Sequence, residues 1–471
     1  MKRFLTPILI FLLALSGAAF AEQGRVLIND VSRLNPTFVK EIYTVRDEEG
    51  LREKILEAKR LGLKISMAGQ KHSQGGHQFS EGGLVLDMLQ FNRILSLDKE
   101  NKVIKVQSGA TWDQIQRYIN PFGLALKVMQ TSNIFTVGGS ISLNIHGRDP
   151  NYSTIHDCVK SFRLMLSDGN TVNASRTENS ELFNLVIGGM GLFGVILDVD
   201  IELTDDVVYE KHTRYMDYKE YFEFFQKEIK NNKEVGLHGA ALSIAPGKTF
   251  LKELSATIYR MSVKKIDTTV LVEEKYVIRN KFLLDLSRKF SFGKKLCWFL
   301  QIKLEDDTNG DQPISRNNAM RQPIKFLEYH SKQDTDILQE YFIPVYHFAS
   351  FIDGLREFVM EERINLLHVG IRYVPEDKKS VLSYAPKDVF SIVLYLNQQL
   401  SQKEIEKAKI WTKKLVDLAI ENEGSYYLAY QLFSTRQQLK MAYPNIDKFF
   451  EKKKHYDPEL RFTNRFYEQY K

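Results

Sequence analysis

The amino-acid sequence predicts an α+β fold in two parts, and three observations carry that reading. Residues 63–204 alternate short apolar strands with glycine turns and short helices. After Thr204 the texture changes: glycine becomes sparse, while Lys, Tyr and Phe become common. At 471 residues the chain is longer than one compact domain usually is, and 43% hydrophobic content can fill more than one core. A boundary is therefore placed near residue 205, with residues 421–471 expected to return to the first part.

Ahead of the fold stands MKRFLTPILIFLLALSGAAFAEQG. Basic Lys2 and Arg3 precede a short apolar run broken by Pro7 and Gly17, and Ala19-Phe20-Ala21 has the small-x-small pattern of a cleavage site. Residues 1–21 read as a secretory signal peptide rather than an anchor, with the mature chain starting at Glu22, in the periplasm or secreted. No later segment is long and apolar enough for a stable membrane span. Loss of Lys2 and Arg3 takes the formal charge from +6 to +4. That is mild, and the lysine runs at 264–265 and 452–454 read as solvated faces rather than a nucleic-acid surface. Cys158 and Cys297 are too few for a thiolate metal site and read as two thiols; no HExxH motif offers a metal either.

Taken in order, residues 47–61 (DEEGLREKILEAKRL) predict a helix with Leu51, Ile55 and Ala58 on one face and Gly62 as its stop. Strands are predicted at 63–69, 82–88 and 101–109, the last alternating Ile104 and Val106 with Val103 and Lys105. Residues 112–120 predict a short helix ended by Pro121, and 160–172 a hairpin turning at Asp168-Gly169. In the second part, 212–232 (HTRYMDYKEYFEFFQKEIKNN) predicts a helix, and 367–374 and 389–397 predict strands. Residues 401–424 predict a helix with Ile405, Ala408, Trp411, Leu415 and Leu418 near one face.

Residues 188–203 (GGMGLFGVILDVDIEL) hold a literal GxGxxG at Gly189, Gly191 and Gly194. A dinucleotide turn needs a strand before it and a helix after it, so that pyrophosphate meets a helix N-terminus. Here a helical pattern precedes and an alternating strand pattern follows, so a Rossmann turn is rejected. The glycines either pack a helix on a sheet or let backbone approach a cofactor.

Two stretches have the chemistry to hold a phosphate. GQKHSQGGH, residues 69–77, follows a strand and sets Lys71, His72 and Ser73 among Gly69, Gly75 and Gly76. Successive amides in such a turn form an anion-binding concavity. TSNIFTVGGSISLNIHGRD, residues 131–149, reads as a second loop with Gly138-Gly139, several hydroxyls and a His146-Gly147 pair.

The combination is more specific than either loop. AGQKHSQGG, GGLVLDM, SGATWDQI, FTVGGSISLNIHGRD, LSDG and ELFNLVIGGMGLFGVI follow one another within residues 65–204. This order resembles the FAD-binding domain of the vanillyl-alcohol-oxidase flavoprotein family, the PCMH type. Several branches are similar at once: alditol and aldonolactone oxidases, cytokinin dehydrogenases and decaprenylphosphoryl-ribose oxidase. EYFIP at 340–344, GIRYV at 370–374 and YDPELRFTNRF at 456–466 resemble the cap domain and C-terminal segment of the sugar-oxidising branches.

The resemblance implies a two-part FAD-binding domain at 22–205, an α+β cap for substrate at 206–420, and a C-terminal segment at 421–471 that returns to the FAD domain. It implies an FAD-linked oxidoreductase whose cofactor is held by Gly69, Gln70, Lys71, His72, Ser73, Gln74, Thr136, Gly138, Gly139, Ser142, His146, Gly147, Gly191 and Val195. In the alditol and aldonolactone branches a His-Ser pair closes the first loop, and that histidine is bonded to the flavin 8α-methyl group. His72-Ser73 matches the pair, so a covalent flavin through His72 is expected. The decaprenylphosphoryl-ribose oxidase branch has arginine there and a free flavin.

Enzymes of this family pass hydride from a carbon bearing oxygen or nitrogen to flavin N5, and a protein group accepts the proton. On the strand at 367–374, period two puts His368, Gly370 and Arg372 on one face. The alditol oxidases carry Glu-x-Arg here; this chain keeps Arg372 and has Gly370 in place of the Glu. YYLAYQ, residues 426–431, resembles a segment that places a lysine near the flavin; Tyr427 matches its tyrosine and Tyr430 stands at the lysine position. His368, Arg372, Tyr427 and Tyr430 are the candidate catalytic residues. The expected substrate is a small sugar-, polyol- or lactone-like molecule oxidised at a CH–OH carbon, with oxygen, a quinone or a cytochrome as acceptor. The alternatives are amine oxidation of the cytokinin-dehydrogenase kind, which a neutral aromatic cavity with a carboxylate base would favour, and a flavin-binding module without turnover.

Overall fold

The structure, a computed structural model, describes residues 24–306 and 312–471; the expected signal peptide lies outside the described residues. Helix Glu48–Arg60 forms as its pattern requires. Asp47 caps it by accepting the Gly50 amide, Glu48 and Glu49 occupy the first turn, and Leu51, Ile55 and Ala58 are buried. It packs beside a parallel three-stranded sheet in which Leu84–Asp87 lies between Glu41–Thr44 and Ile65–Ala68. The C-terminal segment adds to this layer. The Ile65 amide donates to the Arg461 carbonyl at 2.7 Å and the Thr463 amide to the Ile65 carbonyl at 2.9 Å.

The second layer is a six-stranded antiparallel sheet. Val195–Asp205 is central, flanked by Val159–Met165 and Val103–Gln107, with Leu124–Leu126 paired to its far end. The predicted hairpin forms between Val159–Met165 and Thr171–Ser175, and Gly169 takes φ +82° at its turn. Helix Ser180–Val186 leads into the GxGxxG turn and strand Val195–Asp205 leaves it. The order is thus helix, glycines, strand, and no helix begins there.

The third layer is an eight-stranded sheet ordered Ile314–Ser315, Val208–Asp217, Glu253–Met261, Val235–Leu242, Asn365–Val374, Val389–Gln399, Asp334–Pro344, Ser425–Tyr426. One expectation fails here. Residues 212–217 are strand, not helix; they pair with Glu253–Met261, and only Tyr221–Glu228 is α-helical. Tyr, Thr and Met suit a half-buried pleated surface, and pairing along the whole strand overrides the local helical pattern. One face of this sheet carries Tyr341, Ile371 and Phe390 and packs on helices Phe348–Glu362 and Gln402–Glu421, with Tyr341 5.9 Å from Phe351 and Phe348 5.3 Å from Phe390. The opposite face carries Glu340, Phe342, Arg372 and Ser391, and looks toward the first part of the molecule.

Helices Val277–Lys289 and Ser291–Asp306 were not legible in the sequence, nor were Arg436–Ala442, Ile446–Tyr456 and Arg465–Tyr470 at the C-terminus. Both cysteines are free thiols, Cys158 buried and Cys297 half-buried.

Candidate active site

A cleft lies between the parallel sheet, the six-stranded sheet and the C-terminal segment. The loop at 69–77 forms one wall. Among the described residues nothing accepts from the backbone amides of Gln70, Lys71, His72 or Ser73, so four successive donors stand open in a loop where Lys71 takes φ +57°. A Cβ on Gly69 would meet Thr136 Oγ1 at 2.4 Å, so glycine lets this wall close on the next. Gln74 lines the cleft too, but its side chain does a structural job. Its Oε1 accepts from the Leu338 amide at 2.8 Å and from Gln431 Nε2 at 3.1 Å, tying the loop to the strand Asp334–Pro344 and to the C-terminal segment.

His72 lines the same cleft, half-packed against Phe135 with ring centroids 5.0 Å apart. Burial holds its imidazole below the usual histidine pKa, so it is neutral at pH 7 and its nitrogen lone pair is available. It makes no hydrogen bond to a described residue. His77, at the end of the same loop, is buried at the cleft wall beside Phe466, because the loop folds inward under the C-terminal segment.

The second stretch corrects the sequence reading. Residues 137–142 are a short helix, Val137–Ser142, capped by Thr136, not an open loop. Its first amides are already used: Val137 donates to the Ala110 carbonyl, Gly138 to Ser108 and Gly139 to Thr136 Oγ1. Gly138 is glycine because a Cβ would come within 2.9 Å of Ser108 Cβ. Thr136, Gly138, Gly139 and Ser142 therefore shape the wall and offer few free donors. In the GxGxxG turn, Gly189 and Gly194 are demanded by packing, since their Cβ atoms would meet the Leu185 carbonyl at 2.1 Å and the Met165 carbonyl at 2.7 Å. Gly191, at φ +71°, and Val195 face the cleft.

His146 and Gly147 do not line the cleft; His146 stands behind it in a buried cluster built around Glu340. Glu340 Oε1 lies 2.7 Å from His146 Nε2 and accepts from Ser391 Oγ at 2.5 Å, and Glu340 Oε2 accepts from Tyr430 OH at 3.5 Å. Burial alone would raise this carboxyl. His146, Arg372 and Ser391 outweigh it and hold Glu340 below its ordinary range, so it is a carboxylate at pH 7. Tyr430 reaches from this cluster into the cleft, and burial together with Glu340 keeps its phenol protonated. Tyr427 lines the cleft as well, but its hydroxyl donates to the Leu143 carbonyl at 2.8 Å and its ring packs edge-on to Phe342, Tyr384 and Tyr430.

Arg372 shares the Glu340 face and donates to Thr131 Oγ1. His368, four residues before it on the same face, is solvent-accessible yet surrounded by protein, so it lines a recess. Desolvation there, and then Arg372, push its pKa down to about 4. Gly370 between them lets the histidine ring lie against the strand, since a Cβ there would come within 3.2 Å of His368 Nε2. Arg148, whose guanidinium sits 5.6 Å from the Tyr259 ring, adds a second cation to this recess and lowers the pKa of Arg372 further.

Residues 39–175 match the family model described as an FAD binding domain. The chain carries an FAD-binding domain of the PCMH type. Its relatives include sugar and lactone oxidases and dehydrogenases. It is 32% identical over 174 residues to decaprenylphosphoryl-beta-D-ribose oxidase of Mycolicibacterium smegmatis, covering 36% of this chain and 38% of that one. It is 28% identical over 173 residues to mitochondrial L-galactono-1,4-lactone dehydrogenase of Arabidopsis thaliana, covering 37% and 28%. With L-gulonolactone oxidase of Mus musculus the identity is 28% over 152 residues, covering 32% and 34%. The chain thus spans about a third of the length of the curated relatives it matches.

The cleft of the FAD-binding domain fits its cofactor. Ser66, Ser108, His77 and Gln78 each leave a buried polar side-chain atom without a hydrogen bond of good geometry, and all four line the cleft. Buried orphans of this kind await a polar ligand, and the open amides at 70–73 await an anion. A dinucleotide with a pyrophosphate and a polar ring edge supplies both. Sequence reasoning missed these four residues and Glu340. Only Glu340 had a signal: in DTDILQEYFIP it is the lone carboxylate in the apolar end of a strand, with Leu338 and Phe342 as its neighbours on one face.

Proposed function

We propose that this chain is an FAD-dependent oxidoreductase that oxidises a CH–OH carbon of a sugar-, polyol- or lactone-like substrate. The observation that carries the reading is the Glu340 cluster, a buried carboxylate that reaches the flavin cleft through Tyr430. The bound flavin supplies the hydride acceptor. The loop at 69–74, with Ser66 and Ser108, would hold the cofactor, and the neutral imidazole of His72 would be its attachment point at the flavin 8α-carbon. Substrate enters the recess lined by His368, Gly370 and Arg372, where Arg372 and Arg148 orient its oxygens. The substrate hydroxyl donates to the Tyr430 phenol oxygen, and as that proton is taken up the phenol's own proton passes to Glu340. This removes the difficulty left by the absent Glu and Lys of the related branches, because the acceptor comes from another strand.

Residues 22–205 serve as the FAD part, 206–420 as the substrate part and 421–471 as the returning segment; the protein is exported, and oxygen, a quinone or a cytochrome takes the electrons. Amine oxidation is the second reading, favoured by one observation: Glu340 lies among Phe342, Tyr384, Tyr427 and Tyr430. Arg148 and Arg372 make the recess cationic, which disfavours an amine. The deciding experiment is a screen of polyols, aldoses, lactones and amines, read with oxygen and with an artificial dye as acceptors. Bleaching of the flavin by a hydroxylated substrate is expected; bleaching by amines alone would transfer the assignment to the second reading.

A further inference from the structure

Helices Val277–Lys289 and Ser291–Asp306 form a hairpin over the substrate face of the eight-stranded sheet. Three of its polar groups point inward. Arg288 pairs with Asp336, Trp298 Nε1 donates to Glu253 at 2.7 Å, and Lys294 donates to Asn365 at 2.7 Å. Asp336 lies on the same face of its strand as Glu340, so the hairpin roofs the recess. The helices cross closely at Gly293, where a Cβ would meet Leu286 at 2.5 Å, which seats the pair firmly.

The outer surface inverts the usual amphipathic order. Ile278, Phe282, Phe290, Phe292 and Phe299 are 86%, 63%, 50%, 57% and 60% exposed. Phe290 and Phe292 stack on each other at 5.4 Å across the connection between the helices. On Ser291–Asp306 the outward stripe reads Phe292, Lys295, Leu296, Phe299, Lys303, at helical spacing. Lys289 is exposed beside it, and Arg279 stacks on Tyr276 at 4.3 Å. Residues 277–306 hold seven basic side chains and three acidic, and one of the acidic ones, Asp285, is paired with Arg288. A contiguous exposed apolar patch of this kind marks an interaction surface. Charge selects the occupant: a second copy would press like charges together, whereas an anionic bilayer complements the lysines while its acyl boundary takes the phenylalanines. No described helix is long and apolar enough to cross a membrane, so the contact is with its surface.

We propose that this hairpin docks the protein on the surface of an anionic lipid bilayer. The inference stands apart from the flavin chemistry, because turnover of a soluble substrate and flavin content do not depend on these side chains. The test is flotation of the full chain as purified, with vesicles of phosphatidylcholine alone or containing phosphatidylglycerol. Wild type floats with the phosphatidylglycerol vesicles, less as salt is raised, and partitions about tenfold less onto neutral vesicles. Phe290→Ser with Phe292→Ser, and separately Lys289→Glu with Lys295→Glu, each lower the partition about tenfold or more, with flavin content unchanged. Wild type that stays unbound, or variants that bind as wild type does, would overturn the proposal. So would a wild-type dimer that the phenylalanine variant converts to monomer, since the surface would then belong to a second copy.

Discussion

At the scale of single residues, the proposed chemistry rests on His72 and Glu340, which were not equally legible. His72 stands in a loop whose turns the glycines already supply, and its neutral ring at the cleft wall is placed for bond formation. Acid denaturation of the purified protein should leave yellow flavin on the polypeptide, fluorescent in a gel, and His72→Ala should release it. Free flavin from wild type under acid would show that no bond exists. The motif order made the cleft readable because loop residues follow one another in sequence. Glu340 escaped because its partners are distant: His146 lies 194 residues away and Tyr430 lies 90. No local pattern announces a carboxylate whose meaning is set by sheet register. Glu340→Gln keeps the shape and an acceptor for Ser391 but removes the charge. kcat should fall about 10²–10⁴-fold with flavin content unchanged, as expected for a lost proton acceptor. A change of only a few-fold would make Glu340 a packing residue.

Among the elements, the strongly periodic ones formed as read: helices Glu48–Arg60 and Gln402–Glu421, and the strands that line the cleft. The errors came where tertiary pairing overrode local pattern, at 212–217, and where short C-terminal helices had no long period to show. One of these, Ile446–Tyr456, clamps the cleft. Its Lys453 is fully buried, donates to the Leu192 carbonyl at 2.5 Å, and pairs with Asp457, which also accepts the Phe462 amide at 2.8 Å. Leu192 belongs to the glycine turn at the cleft wall, so the pair fixes that wall to the returning chain. Lys453→Met strands a buried carboxylate and should cost about 3–5 kcal/mol in urea unfolding, most of it recovered by adding Asp457→Asn. The pH dependence follows from the shift. Burial pushes Lys453 down to about 8, whereas an unfolded lysine titrates near 10.4. Between those values the unfolded chain binds more protons, so this group makes stability rise with pH from about 8 to about 10.4. That component of the slope should vanish in Lys453→Met, and an unchanged slope would place the titration elsewhere.

Taken as a whole molecule, a chain of 471 residues would ordinarily unfold in pieces. Here the two sequence textures share one continuous core. A single apolar cluster joins Ile104, Val199 and Phe162 of the six-stranded sheet to Tyr209, Val369 and Ile392 of the eight-stranded sheet and to Phe449 of the returning segment. Buried Arg316 ties the two sheets a second time. It donates to the Leu126 and Lys127 carbonyls at 3.0 and 2.7 Å, to Tyr209 OH at 2.9 Å, and pairs with Asp149 at 2.8 Å. The chain also leaves the first part for the eight-stranded sheet and returns to the first part at Ile65, so the second part is held at both of its ends. Calorimetry should therefore show one transition whose calorimetric and van't Hoff enthalpies agree, with the change in flavin fluorescence at the same temperature. Arg316→Met removes the second tie and leaves Asp149 and two carbonyls without their donor. It should cost about 3–5 kcal/mol and resolve the endotherm into two steps. Two resolved peaks in wild type would show that the shared core does not couple the parts, and the cap would then unfold on its own.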